Sequence, residues 1–310
     1  MWSLLGSGTA NKPNWAKGRF NNMKIAIIGT GRIGGNLARQ FTKWGHAVAI
    51  ANSGNAQALQ NLAQETGAKL ATIQDVAEGA EVVIISIPIK RIPSLPSGFL
   101  DKAAPSVVVI DTNNYYPFMH RDGVIEEIEK GLPESRWVEQ QIKRPVIKAF
   151  NATPWYNLTW GVPAGTPGRL ALPVAGDDSA AKAIVFKLVD QVGFDPVDAG
   201  GLDESWRLQP GKPVYCVDLD VSGVQQALAA ASPERGPELT GSHLSKEVIQ
   251  AAHEQQSAFY EKYFKACLLL AEANDWTEAK ATKALHLRFE KGDKSPDDIL
   301  NFVLEQQRLD

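Results

Sequence analysis

MKIAIIGTGRIGGNLARQFTKWGHAVAIANS, residues 23–53, reads as strand, glycine turn, helix and second strand. The apolar, β-branched run at 24–28 suits a strand buried on both faces of a parallel sheet. Gly29-Thr30-Gly31-Arg32-Ile33-Gly34 follows at once, a G-x-G-x-x-G match. In that pattern the first glycine permits the sharp turn and the second lets backbone approach a pyrophosphate. The third lets the helix pack close to the sheet. A helix over 32–44 then points its N-terminal amides at the phosphates, and Gly45 ends it. The motif alone is weak; its place between a strand, a helix and a second strand at 46–51 makes it a dinucleotide site.

The end of the second strand selects the nucleotide. An NAD site places Asp or Glu there for the ribose 2′-hydroxyl. Here the chain has Asn52-Ser53-Gly54-Asn55, with no carboxylate. Neutral amides, a hydroxyl and backbone N–H groups tolerate a 2′-phosphate, and Arg32 is placed to lie over the adenine and reach it. NADP(H) is therefore expected over NAD(H).

Outward from this unit, strands alternate with helices. Residues 56–66 read as a helix ended by Gly67, 69–71 as a short strand, 73–79 as a short helix and 81–87 as a buried strand. Ligands in open α/β sheets sit at the carboxyl ends of strands, so Ser86, Ile87 and Pro88 should line the cofactor. Lys90-Arg91-Ile92 beyond them is either a solvated loop or a substrate or phosphate contact. Strand 106–111 leads into Thr112-Asn113-Asn114, where polar and aromatic residues mix as in sites for planar ligands; Asn113 is a cofactor candidate. Helix is expected over 125–130 and strand over 145–150, with Lys148, Ala149 and Asn151 at its end and Trp155 and Trp160 beyond. Residues 170–175 and 195–198 read as further strands around a helix capped by Asp177-Asp178-Ser179 and closed by Gly193. The fold class expected is α/β, a Rossmann-type doubly wound parallel sheet with a helical C-terminal part. Residues 1–22 read as a flexible extension, 23–200 as the NADP-binding domain and 201–310 as a mainly helical domain. Four prolines punctuate a weakly structured stretch at 201–237. Within the long helix that follows, Phe259, Tyr260, Tyr263, Phe264 and Cys267 form a stripe that suits a packing or dimer face.

Composition excludes several classes. Net charge is −3, so no basic field argues for nucleic acid or an anionic membrane. Cys216 and Cys267 are too few for a disulfide framework, which points to a reducing, cytoplasmic setting. No apolar run is long enough to span a bilayer. No metal-ligand spacing occurs, and the histidines at 46, 120, 243, 253 and 286 are scattered; His120 and His243 are solvated or, less simply, proton donors.

With these residues in hand, the chain resembles the family of coenzyme F420-dependent NADP oxidoreductases. The resemblance rests on the glycine motif with Asn52-Ser53, on Asp111-Thr112-Asn113-Asn114 and on Val146-Ile147-Lys148-Ala149-Phe150-Asn151. It also rests on Ala175-Gly176-Asp177-Asp178 and the run from Gly193 to Leu202. It implies NADP on the glycine turn and a deazaflavin in an adjoining cleft, with a hydride passing directly between them. Thr30, Arg32, Asn52 and Ser53 would hold the adenine-ribose phosphate end, and Ser86-Ile87-Pro88 with Ala149-Phe150-Asn151 would border the nicotinamide. The chain departs from the family in having Gly54 where an arginine is usual. It also carries extra helix-rich residues where compact members stop.

Hydride transfer between planar rings needs positioning more than acid–base help. Lys148 and Asn151 are the catalytic candidates: they either polarise a carbonyl or imine, or are a solvated strand-end lysine and a turn asparagine. The substrate expected is a deazaflavin, a flavin or a small molecule, and the assembly a homo-oligomer, a dimer at simplest. The competing class is a non-catalytic NADP(H) sensor or scaffold, in which Trp155 or Trp160 fills the space beside Ala149 that an enzyme keeps for its second ring.

Overall fold

A computed structural model describes residues 22–117, 123–159, 164 and 169–234. Two compact units divide the chain. One comprises residues up to Asn114 together with Lys130–Pro233; the other includes Tyr115–Glu129.

The first unit is built on a six-stranded parallel sheet. Its strands are β1 (Lys24–Ile28), β2 (Ala47–Ala51), β3 (Lys69–Leu70), β4 (Val82–Ile85), β5 (Val108–Asp111) and β6 (Val146–Lys148), in the order β3-β2-β1-β4-β5-β6. β4 and β5 are buried at every residue, as apolar runs covered on both faces must be. The register pairs Ile28 with Ala51 and with Ile85, so the carboxyl ends of β1, β2 and β4 finish at one level. The Rossmann-type doubly wound expectation holds.

Helix α1 (Arg32–Lys43) buries Leu37, Ala38 and Phe41 on the sheet. Phe41 meets Phe150 edge to face, their centroids 6.4 Å apart. Helix α2 (Ala56–Thr66) starts at Asn55, whose side chain accepts from the Ala58 N–H, and ends at left-handed Gly67. Residues 73–79, expected as a helix, form consecutive turns instead. Thr72 and Asp75 start a helical turn (2.8 Å between side chains), but Gly79 takes a positive φ before it can propagate.

In the second unit, α3 (Glu126–Glu129) is a single turn. The Tyr115 hydroxyl there accepts from the Ile125 N–H and donates to the Gly123 carbonyl.

Back in the first unit, α4 (Glu134–Ile142) was not foreseen. Pro133 precedes it and Glu134 supplies an acid in its first turn, a legible start signal that its sparse apolar face obscured. β7 (Ala171–Val174) and β8 (Asp195–Asp198), expected as further strands of the main sheet, form their own parallel pair. That pair meets the main sheet through one antiparallel bridge between Lys148 and Ala175. Between them runs α5 (Ser179–Val192), with Asp178 alone as its cap; Asp177 turns away to accept from the Leu202 N–H. The stretch expected to be weakly structured holds a 3₁₀ turn, Leu202–Leu208, and helix α6 (Val221–Ala229), both in this same unit. The long C-terminal helix expected from sequence with its aromatic stripe, residues 1–21, Trp160, and the histidines at 120, 243, 253 and 286 lie outside the described residues.

The close packing of α1 gives a paired prediction. A Cβ on Gly34 would stand 2.0 Å from the Gly29 carbonyl oxygen, whereas one on Gly35 would meet nothing nearer than 3.4 Å among the described residues. Gly34→Ala should cost about 1–3 kcal/mol in urea unfolding. Gly35→Ala should be neutral or stabilising by up to about 1 kcal/mol. Equal effects would show that the α1–β1 approach is not as close as described.

Candidate functional site

The carboxyl edge of the main sheet is assembled by local chain properties. Gly29 has φ +95°, and a Cβ there would meet the Ser86 carbonyl oxygen at 2.1 Å. No residue with a side chain fits at this crossing, so the glycine turn lies directly against Ser86-Ile87. Gly31 caps α1 with extended backbone and no side-chain hydrogen bond, and no acid occupies the helix's first turn. A Cβ on Gly31 would meet nothing within 4 Å among the described residues. The leading amides of α1 therefore have no side-chain cap among the described residues and no acid in the helix's first turn, the arrangement that accepts a phosphate group. This is the fit expected of a dinucleotide's pyrophosphate.

At the β2 end, the Asn52 amide bridges two segments. Its Nδ2 donates to Thr30 Oγ1 (3.2 Å) and its Oδ1 accepts from the Gly54 N–H (2.8 Å). The glycine turn is thereby tied to the Ser53-Gly54 loop, and Ser53 is exposed beside it. Arg32, also exposed, lies over the Trp155 ring, its Cζ 5.4 Å from the centroid.

Across the β4 and β5 ends, Asn113 Oδ1 accepts from the Ile87 N–H (3.1 Å). That backbone donor fixes the amide's orientation. Asn113 Nδ2 is then buried with no hydrogen-bond partner among the described residues. Asn151 is fixed in the opposite sense: its Nδ2 donates to the Leu208 carbonyl (2.8 Å) and to Asn114 Oδ1 (3.1 Å), leaving buried Oδ1 without a partner among the described residues. Orphaned buried amide atoms are uncommon. One donor and one acceptor of this kind stand at neighbouring strand ends. Between them Phe150 takes φ +63°, a conformation rare for a bulky residue. The kink sends its ring inward to Phe41.

Lys148 is fully buried, which overturns the reading of a solvated lysine. Its ammonium donates to the Asn113 carbonyl and pairs with Asp111 Oδ2 at 3.2 Å, with Glu134 Oε2 at 4.0 Å. Ser135 Oγ donates to the same Asp111 oxygen at 2.6 Å. The cation thus holds the β5 end from inside. Ala149 is also fully buried and packs in the main core. Pro88 is exposed just past Ile87, and Ile33 packs partly against the core.

Sequence reasoning missed Asp111, Glu134 and Ser135. The signal was a charge inside each of two adjacent apolar strands, since buried charges are paired. It also missed Leu208 and Tyr215, whose hydroxyl bonds Asn114 Nδ2 at 3.2 Å; no local pattern announces them. His46 belongs to the other end of the sheet, taking the Met23 N–H at 3.1 Å and pairing with Gln191. Two cavities of about 330 and 410 Å³ also open near the amino ends of the strands. They have no glycine turn and are not the site described here. Among the described residues no His, Cys, Asp and Glu group could hold a metal, and no helix is long and apolar enough to cross a membrane.

Residues 24–115 match the family model described as NADP oxidoreductase, coenzyme F420-dependent, so the family resemblance is borne out over that segment. The chain is 44% identical over 94 residues to the Escherichia coli K12 protein YjhV, which is 30% of this chain and 62% of that protein. The match thus spans less than two thirds of this curated relative. Among solved structures, hypothetical protein SMa0349 from Sinorhizobium meliloti is similar at TM-score 0.54 and 28% identity, over 64% of this chain and 95% of that one. An Arthrobacter sp. FB24 protein, described provisionally as an F420-dependent NADP-reductase, follows at TM-score 0.46 and 26% identity, over 58% and 86%.

The buried charge cluster yields a prediction. Lys148→Met would leave the buried Asp111 carboxylate without the ammonium at 3.2 Å and should cost about 3–5 kcal/mol in urea unfolding. A loss below about 1 kcal/mol would mean that the cluster is solvated.

Proposed function

We propose that this chain is an NADP(H)-dependent oxidoreductase of the coenzyme F420-dependent type. The observation that carries the reading is the Gly29–Gly34 turn, pressed against Ser86-Ile87 and opening an uncapped α1, beside a β2 end without a carboxylate. The family match over the same residues supports it.

In this reading the amides of Gly31-Arg32-Ile33-Gly34 bind the pyrophosphate. Thr30, Asn52 and Ser53 border the adenosine ribose and its 2′-phosphate. Ser86, Ile87, Pro88, Asn113 and the backbone at Ala149 border the nicotinamide, which when bound exchanges a hydride, two electrons and one proton, with a deazaflavin, flavin or small acceptor. Asn151 presents its unpartnered Oδ1 at the same edge. Lys148 is a positioning residue, holding the Asn113 carbonyl so that its amide keeps one orientation. A homodimer and a cytoplasmic location belong to the same proposal.

A second reading, an NADP(H) sensor without turnover, is favoured by one observation: Ala149 is closed into the core, leaving no exposed methyl group for a second ring. Assaying NADPH oxidation against a deazaflavin, flavins and small carbonyls separates the two. Turnover is expected with a planar acceptor; tight NADPH binding with none of them oxidising it would leave the sensor.

The nucleotide preference is tested by titration. NADPH should bind more tightly than NADH. Asn52→Asp keeps an acceptor for the Gly54 N–H but sets a carboxylate beside the 2′-phosphate, and should weaken NADPH on the order of tenfold. Equal affinities in the unmodified chain would sink the preference.

A further inference from the structure

We propose that Asn113 Nδ2 is the donor that binds the carboxamide oxygen of the nicotinamide ring. The inference rests on the dinucleotide reading and sharpens it, from a residue that borders the ring to one atom and its acceptor.

The donor is held from behind. Asn113 stands just past the last β5 pairing, that of Asp111 with Lys148. Its N–H donates to Asp111 Oδ1 at 2.9 Å, and its carbonyl accepts from the enclosed Lys148 ammonium. Both main-chain groups are thus engaged with the buried cluster. The side chain crosses to the β4 end, where Oδ1 accepts from the Ile87 N–H at 3.1 Å. Turning the amide over would set donor against donor, so the bonding pattern fixes which atom is left over. Asn113 is 4% exposed, and its Nδ2 has no hydrogen-bond partner among the described residues. A buried donor in this state costs about 1–3 kcal/mol, which a ligand oxygen recovers.

Position names the oxygen. The sheet order sets β4 and β5 on the opposite side of β1 from β2. With the pyrophosphate on the turn after β1 and the adenosine at the β2 end, the β4 and β5 ends take the nicotinamide half. Asn113 spans those two ends. Ile87, which orients it, also leans on the glycine turn: a Cβ on Gly29 would meet Ile87 Cγ2 at 2.7 Å. Ser86 and Ile87 are partly exposed and Pro88 is exposed, so this contact chain lies at the accessible edge.

The uncharged oxygens of the nicotinamide nucleoside are ribose oxygens and the carboxamide oxygen. A ribose hydroxyl carries its own hydrogen and is satisfied by a donor or an acceptor. The carbonyl oxygen only accepts, so a single fixed donor suits it. A bond there holds the ring against rotation about its link to the ribose, and so decides which face meets the second substrate.

The test is calorimetric titration of the full chain. Asn113→Asp keeps an oxygen for the Ile87 N–H and the shape of the side chain, but replaces the donor with a second oxygen. It should weaken NADPH about tenfold and leave 2′-phospho-ADP-ribose, which has both riboses but no ring, within about twofold. A loss shared equally by the two would put the donor on the ribose and overturn the inference. Unchanged NADPH binding would overturn it as well. A second comparison uses only the unmodified chain and so stands even where the aspartate disturbs the fold. The 3-acetylpyridine analogue of NADP⁺ keeps the carbonyl and should bind within about threefold of NADP⁺; the 3-aminopyridine analogue lacks it and should bind about tenfold more weakly. Equal binding of the two analogues would refute the assignment. An unmodified chain that binds neither NADPH nor 2′-phospho-ADP-ribose would instead overturn the dinucleotide reading, and this inference with it.

Discussion

The contact between the Gly29–Gly34 turn and the end of β4 is the constraint from which the rest of this molecule follows. Backbone there approaches backbone so closely that a Cβ on Gly29 would sit 2.1 Å from the Ser86 oxygen and one on Gly34 2.0 Å from the Gly29 oxygen. Two positions without side chains let α1 lie low on the sheet. From that height Phe41 reaches Phe150, the leading amides face the carboxyl edge, and the stripe through Arg32, Asn36 and Gln40 meets the loop after β6. A bulkier turn would lift the helix and separate all three contacts together.

A second layer of order is polar. Starting from the glycine turn, Asn52 ties it to the β2 end, and Ile87 ties the β4 end to Asn113. Asn114 Nδ2 donates to the Asn151 carbonyl at 3.1 Å, and Asn151 reaches on to Leu208. Each loop along the edge is thus hydrogen-bonded to the next. Beneath them Lys148, Asp111, Glu134 and Ser135 form a charged cluster with no solvent access to the ion pair. Buried charge is a weak source of net stability because desolvation offsets the attraction. Its effect here is to fix one conformation of the β5 and β6 ends, where two amides each keep an atom with no hydrogen-bond partner among the described residues. Those are the features a binding edge needs: rigid support below and unsatisfied polar atoms at the strand ends.

Much of this fold was legible in the residues. The runs KIAII, AVAIA and VVII are strands because a doubly covered sheet takes continuous apolar, β-branched segments, and α2 begins and ends at its Asn55 cap and Gly67. The loops bearing Ser86, Asn113 and Asn151 were read correctly as leaving one edge, since parallel strands share a direction. Other parts were not legible. α4 has few apolar residues to show a helical period; residues 73–79 carry the opposite error, a helical start stopped by Gly79. That β7 and β8 form a sheet of their own depends on partners far along the chain, and strand sequences do not name their partners.

Local residue properties therefore determined the glycine turn, the strand and helix pattern around it and the absence of an acid at Asn52-Ser53. A glycine's freedom of φ, a strand's apolar run and a cap's hydrogen bond are each complete within a few residues. Only the tertiary structure decided that Lys148 is enclosed with Asp111, 37 positions away, rather than solvated. It likewise decided that Arg32 rests on Trp155, that Ala149 is closed into the core, and that Leu208 and Tyr215 complete the β6 end. Burial and pairing are properties of the space between segments, and the same lysine or arginine takes a different role according to which distant segment the folded chain brings against it.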